Sequence, residues 1–87
     1  MNVTLIGGPP WGVRLGPQEG TGRPIITRIL PGGRADVEGV KLGDLIETIN
    51  GEVVIGCEEA HTQMQAVNGE MKLRLHRFGR PRQFQQN

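Results

Sequence analysis

Glycine and proline interrupt this chain so often that long regular elements are excluded: 14 glycines and 6 prolines fall among 87 residues. Proline removes a backbone donor and an interior glycine weakens a helix or strand, so regular structure must be short and fitted between them. What lies between is mostly β-type. Residues 3–6, 12–15, 25–30, 45–49, 52–54 and 71–76 each read as a strand. The last is the clearest, because Met71, Leu73 and Leu75 alternate with Lys72, Arg74 and His76 in the period-two pattern of a half-buried strand. Asn50-Gly51 tolerates positive φ and predicts a tight hairpin turn. A short helix is expected near 33–38 and a longer one over 57–67, bounded by Gly56 and Asn68-Gly69. On the longer helix Ala60, Met64 and Val67 form one apolar stripe, and Cys57, His61 and Met64 mark an overlapping face suited to line a groove. Residues 16–24 contain no apolar anchor and read as a mobile loop, and 79–87 as a linker or tail after a domain over 1–78.

Size and charge narrow the classes of function. An 87-residue chain with 36% hydrophobic and 3% aromatic residues builds one small aliphatic core, burying ~60–65% of its unfolded surface. A net charge of +1 is far from the basic excess of a nucleic-acid binder, so any preference for anions must be local. A lone cysteine, Cys57, gives neither an internal disulfide nor a structural zinc cluster and fits a reducing compartment. No signal peptide is evident and no apolar run approaches the ~20 residues of a membrane span. A soluble, cytoplasmic monomer without cofactor is expected.

The segment Pro10-Trp11-Gly12-Val13-Arg14-Leu15 points to chemistry. Glycine lets the backbone turn so that the N–H groups of Trp11, Gly12 and Val13 converge on one anion, and Pro9 and Pro10 bring no competing N–H. A free peptide carboxylate held in such a nest, with the peptide added as a strand to a sheet edge, is a known recognition mode.

These residues resemble a PDZ domain over about 3–78. Pro10-Trp11-Gly12-Val13 matches that family's carboxylate-binding loop, and the stretch 39–51, running Gly39-Val40-Lys41-Leu42-Gly43-Asp44-Leu45 and on to Asn50-Gly51, matches its best-preserved region. The resemblance implies a mainly β fold, a partly open antiparallel barrel or sandwich of five or six strands capped by two α-helices. It also implies a non-catalytic module that binds C-terminal peptides between the second strand and the longer helix. Within the family, residues 8–15 are similar to the ALP/Enigma (PDZ-LIM) and synaptopodin-like cytoskeletal proteins. That narrower likeness implies an adaptor on actin-associated structures, with the C-terminus of α-actinin as one partner.

The resemblance assigns Trp11, Gly12 and Val13 to the peptide carboxylate and Arg14, Leu15, Cys57, His61 and Met64 to the groove. Trp11 also has the composition of a core residue; beside the nest it is expected to wall the pocket for the last ligand side chain with Val13, Leu15 and Met64. Arg14 either points to solvent or reads acidic side chains upstream of the ligand's end. Residues 1–10 hold no Lys or Arg to assist the nest, so binding would rest on backbone donors. Cys57 stands where the commonest PDZ class has a histidine that bonds Ser or Thr two residues before the ligand's end. A thiol behaves as a small hydrophobe, so preference there should shift toward apolar residues or become lax. His61 either supplies that hydrogen bond or is a solvated helix-surface histidine. A Cys57–His61 protease dyad or metal pair lacks its further ligands, oxyanion site and orienting group. The cluster His76, Arg77, Arg80 and Arg82, interleaved with Phe78 and Phe84, reads as a solvated strand end and linker, or as weak, salt-sensitive contact with an anionic membrane. A lipid-contacting or dimerising scaffold, and a regulatory domain cut from a larger enzyme, are the alternative functions.

Overall fold

The computed structural model describes residues 1–79, so Arg80, Arg82 and Phe84 of the basic cluster and most of the expected tail lie outside the described residues. The chain runs β1 (Asn2–Ile6), β2 (Val13–Pro17), β3 (Pro24–Ile29), α1 (Arg34–Val37), β4 (Leu45–Ile49), β5 (Glu52–Val53), α2 (Cys57–Ala66) and β6 (Glu70–His76). The strands form one antiparallel sheet in the order β1-β6-β4-β3-β2, with β5 paired to β4. The architecture is mostly β, an open sheet of six strands with two helices, as the resemblance implies.

Alternation builds the centre. Met71, Leu73 and Leu75 of β6 turn inward and register against Leu5 and Val3 of β1 and Ile49 and Ile46 of β4. Ile26, Val40, Val54, Ala60 and Met64 close the core from the remaining sheet, the loop after α1 and α2. Asn50 and Gly51 carry φ of 50° and 84° in the β4–β5 hairpin, and the Asn50 side-chain oxygen accepts from the Lys72 N–H at 2.8 Å, tying the turn to β6.

The stretch 16–24 departs from the expected mobile loop. Gly16 and Pro17 extend β2 and pair with Ile25 and Pro24, while residues 18–23 close on themselves through Gln18 N–H to the Arg23 carbonyl (2.7 Å) and Gly22 N–H to the Gln18 carbonyl (2.8 Å). The physical reason is that Pro24 is buried in the sheet, an anchor its residue type does not advertise, and backbone pairing completes the ribbon.

Arg77 is exposed, as a strand-end charge should be, but it is also paired. Its Nε and one terminal nitrogen donate to Asp44 at 2.8 and 2.7 Å, and that nitrogen also donates to the Gly39 carbonyl at 3.0 Å. Asp44 is 1% exposed and accepts from the Lys41 N–H at 2.9 Å. Burial works to raise its pKa, but the hydrogen bonds from Arg77 and Lys41 and the nearby guanidinium charge outweigh burial and hold the carboxyl below the usual range. A forked pair of this kind, its carboxylate buried and its guanidinium exposed, fixes the start of β4 against the end of β6.

Candidate functional site

The site begins where the sheet stops. β2 is an edge strand, paired only with β3, and α2 lies alongside it. Pleat geometry decides which backbone groups face the free edge. Ile26 bonds toward the β4 side, its N–H to the Asp44 carbonyl at 2.9 Å and its carbonyl accepting from Gly43 at 2.8 Å. Its register partner Leu15 therefore turns its own N–H and carbonyl the other way, toward α2. Val13 faces Ile29 between the Leu30-to-Gly12 bond (2.9 Å) and the Arg14–Arg28 pair, so its N–H and carbonyl also point to the open edge.

Just upstream the backbone turns. Gly12 has φ of 82°, a conformation that L side chains rarely adopt, and an added Cβ would sit 3.4 Å from the Arg34 nitrogen. The Trp11 carbonyl accepts from the Ala35 N–H (3.2 Å) and the Gly12 carbonyl from Leu30, so the loop's acceptors are occupied. Among the described residues the N–H groups of Trp11 and Gly12 donate to no carbonyl. Bonded acceptors facing inward and unbonded donors are the polarity an anion requires.

Arg34, which sequence reasoning missed, stabilises this loop from α1. Its Nε donates to the Gly8 carbonyl at 2.7 Å and a terminal nitrogen to Gly7 at 3.0 Å. Residues 1–10 hold no Lys or Arg, but α1 supplies a guanidinium to the loop's carbonyls. No local pattern marks that role, because the residues are 26 and 27 positions apart.

Trp11 combines both expected characters. It is 2% exposed and belongs to the core, yet it walls the groove beside Gly12. Its indole N–H donates to the Met64 carbonyl at 2.7 Å. That carbonyl is among the last four of α2, which have no intrahelical donor, so the tryptophan both caps the helix and sets its distance from the loop.

The groove has two adjoining hollows. The upper, of about 480 Å³, is lined among others by Trp11, Gly12, Val13, Leu15 and Met64; the lower, of about 800 Å³, lies between β2 and the start of α2 at Cys57, His61 and Thr62. Arg14 and His61 border both and are exposed. The structure thus gathers all eight expected site residues around one cleft. Cys57 is half-buried, and burial pushes its thiol pKa up, away from the thiolate that a nucleophile or metal ligand must form. Among the described residues there is no group of three or more side chains arranged to hold a metal, and no helix long and apolar enough to cross a membrane.

An edge strand with outward-facing amide groups, a glycine turn with unbonded donors and a flanking helix define a peptide-recognition fold. The PDZ domain family model matches residues 2–76, and the chain belongs to that family of peptide-binding interaction modules. It is 35% identical over 79 residues to PDZ and LIM domain protein 7 of Xenopus laevis and 33% identical over 79 residues to PDZ and LIM domain protein 5 of Rattus norvegicus. Both alignments cover 87% of this chain, which spans 19% and 13% of those relatives' lengths. This agrees with the narrower resemblance to the ALP/Enigma group. Among solved structures, the choanoflagellate SHANK1 PDZ domain bound to a GIRK3 peptide superimposes with a TM-score of 0.80 at 20% identity, covering 93% of this chain and 94% of that one. The third PDZ domain of INAD in complex with the TRP channel tail gives 0.79 at 20% identity, covering 90% and 86%. At such identities the likeness establishes the fold.

Proposed function

We propose that this domain is a non-catalytic module that binds the free C-terminus of partner proteins as an added antiparallel strand on β2. The carrying observation is the pair of unbonded N–H groups at Trp11 and Gly12, placed at the head of a strand whose Val13 and Leu15 amides face an open groove. The terminal carboxylate sits on the donors of Trp11, Gly12 and Val13. The last side chain, an aliphatic one, enters the upper hollow against Val13, Leu15 and Met64, and its burial contributes about 1.5–3 kcal/mol. Arg14, Cys57 and His61 face the upstream ligand residues. That solved PDZ relatives hold a channel tail and a peptide supports this mode. The likeness to PDZ and LIM domain proteins supports a cytoplasmic adaptor on the actin cytoskeleton, with the C-terminus of α-actinin as one candidate ligand. The domain occupies 1–78.

A contact smaller than a standard protein interface predicts dissociation constants of ~1–100 μM. Titration of a labelled six-residue peptide ending in leucine, as free acid and as amide, tests the assignment. The amide should bind at least ~10-fold more weakly, the value of one charge-assisted anchor of about 1.4 kcal/mol or more; equal binding of the two would overturn it.

A further inference from the structure

Arg14 and Arg28 stand directly opposite one another across the β2–β3 ladder. Register partners project to the same face, and since Val13 and Leu15 pack against the core, both guanidinium groups lie on the outer face. Like charges placed there repel, and among the described residues neither arginine has a carboxylate within ion-pair distance. Both are exposed, both border the upper hollow, and no acidic residue lines that hollow. The sheet therefore maintains an uncompensated pair of positive charges beside the groove.

We infer that Arg14, supported by Arg28, selects an aspartate or glutamate at the penultimate residue of the bound peptide, an inference that rests on the reading above. A strand on the free edge of β2 alternates its side chains. If the last side chain enters the hollow on the Val13–Leu15 side, the one before it emerges on the arginine face. Because Val13 and Leu15 present their amides to the ligand, Arg14 between them meets the penultimate residue in a non-hydrogen-bonded pair, the closer of the two antiparallel spacings at ~4.5 Å between Cα atoms. Further along that face β2 offers only Gly16, and the Thr27 methyl lies over it, 2.7 Å from where a Cβ would stand. The positive charge is thus concentrated at one ligand position.

The test is fluorescence anisotropy with three six-residue peptides that end in leucine with a free carboxylate and differ only in a penultimate Asp, Asn or Lys. At low salt the Asn peptide should bind about fivefold more weakly than the Asp peptide, and the Lys peptide about tenfold or more, the scale of an exposed ion pair relieved of like-charge repulsion. Arg14→Gln should bring the Asp-to-Asn ratio to about 1, Arg28→Gln should reduce it by about half, and raising salt should shrink it in the unaltered domain. A ratio of 1 in the unaltered domain, or one unchanged by Arg14→Gln, overturns the inference. An amidated Asp peptide run alongside separates the two failures: if it matches the free acid, the underlying carboxylate reading has failed, whereas discrimination of acid from amide without an Asp preference sinks only the role given to the arginines.

Discussion

Replacing Trp11 by phenylalanine isolates the indole N–H that joins the Trp11-Gly12 loop to α2. The larger consequence is at the acceptor. The Met64 carbonyl takes the 2.7 Å bond in a buried setting, and its other neighbour, the Val67 N–H, is 3.4 Å away. Leaving a buried acceptor without its principal donor costs about 1–3 kcal/mol. The smaller ring also vacates roughly 40 Å³, which at about 24 cal/mol per Å³ adds close to 1 kcal/mol. The sum, about 2–4 kcal/mol, corresponds to a melting temperature lowered by roughly 10–25 °C in a domain of this size. Circular dichroism melts and urea titrations measure it. Peptide affinity, measured where the variant is still folded, should fall about five- to tenfold, because the bond sets the spacing between the loop donors and Met64. A phenylalanine variant within ~0.5 kcal/mol of the parent would show that the bond contributes only what solvent can replace. Lost stability with unchanged affinity would show that α2 is positioned by other contacts.

Arg77→Leu should cost about 1–2 kcal/mol at neutral pH, because it leaves the nearly inaccessible Asp44 carboxylate with the Lys41 N–H as its remaining donor, while the exposure of the guanidinium screens part of the pair's attraction. Since pairing depresses the Asp44 pKa, its stabilising contribution is complete above the unfolded value near 3.9 and is lost as pH falls through the lower folded value. The gap between parent and variant in urea melts should therefore narrow from pH 7 to pH 3, and a constant gap would contradict the assignment. Gly12→Ala forces a side chain into φ of 82° against Arg34, so a stability loss of about 1–2 kcal/mol with at least tenfold weaker peptide binding is expected by melting and anisotropy. Cys57→His should raise affinity about threefold or more for peptides with Ser or Thr two residues before the end, relative to aliphatic residues there; a strong hydroxyl preference already present with Cys57 would refute the role given to the thiol.

Much of this was legible because local physics and tertiary packing agree. The alternation of 71–76 and the positive-φ pair Asn50-Gly51 needed no long-range partner to be recognised, and the loop's apolar–glycine pattern lies where the structure opens a groove. The departures share a cause. The indole of Trp11 meets a carbonyl 53 residues away, Arg77 meets Asp44 across 33, and Arg34 reaches back 26 to Gly8. None of these leaves a periodic trace, since a side chain's hydrogen-bond partner is chosen by the folded surface and not by its neighbours in sequence. Gly16, Pro17 and Pro24 depart from the expected loop for a related reason: their place in the ribbon comes from backbone pairing around a turn, which glycine and proline side chains do not announce.

An exposed strand edge is ordinarily a hazard, and the way β2 is constrained explains how it can remain open for a ligand without inviting another sheet. It is five residues long and ends in Pro17, which has no N–H to offer. A register shift between Arg14 and Leu15, where Thr27 is the extra residue on β3, bends the ribbon, and the Thr27 hydroxyl donates to the Arg14 carbonyl at 3.2 Å. Arg14 adds a charge on the outer face, where a second sheet would have to pack. On the other side α2 flanks the open edge, with Cys57, His61 and Thr62 lining the groove opposite Val13, Arg14 and Leu15. The same features that discourage edge-to-edge association thus bound the groove, with the unbonded N–H groups of Trp11 and Gly12 at one end. If the proposed mode holds, an edge strand closed by proline, helix and charge favours a chain that terminates, because a terminus can place a carboxylate at the head of the strand on donors that an uninterrupted chain would meet with a neutral backbone.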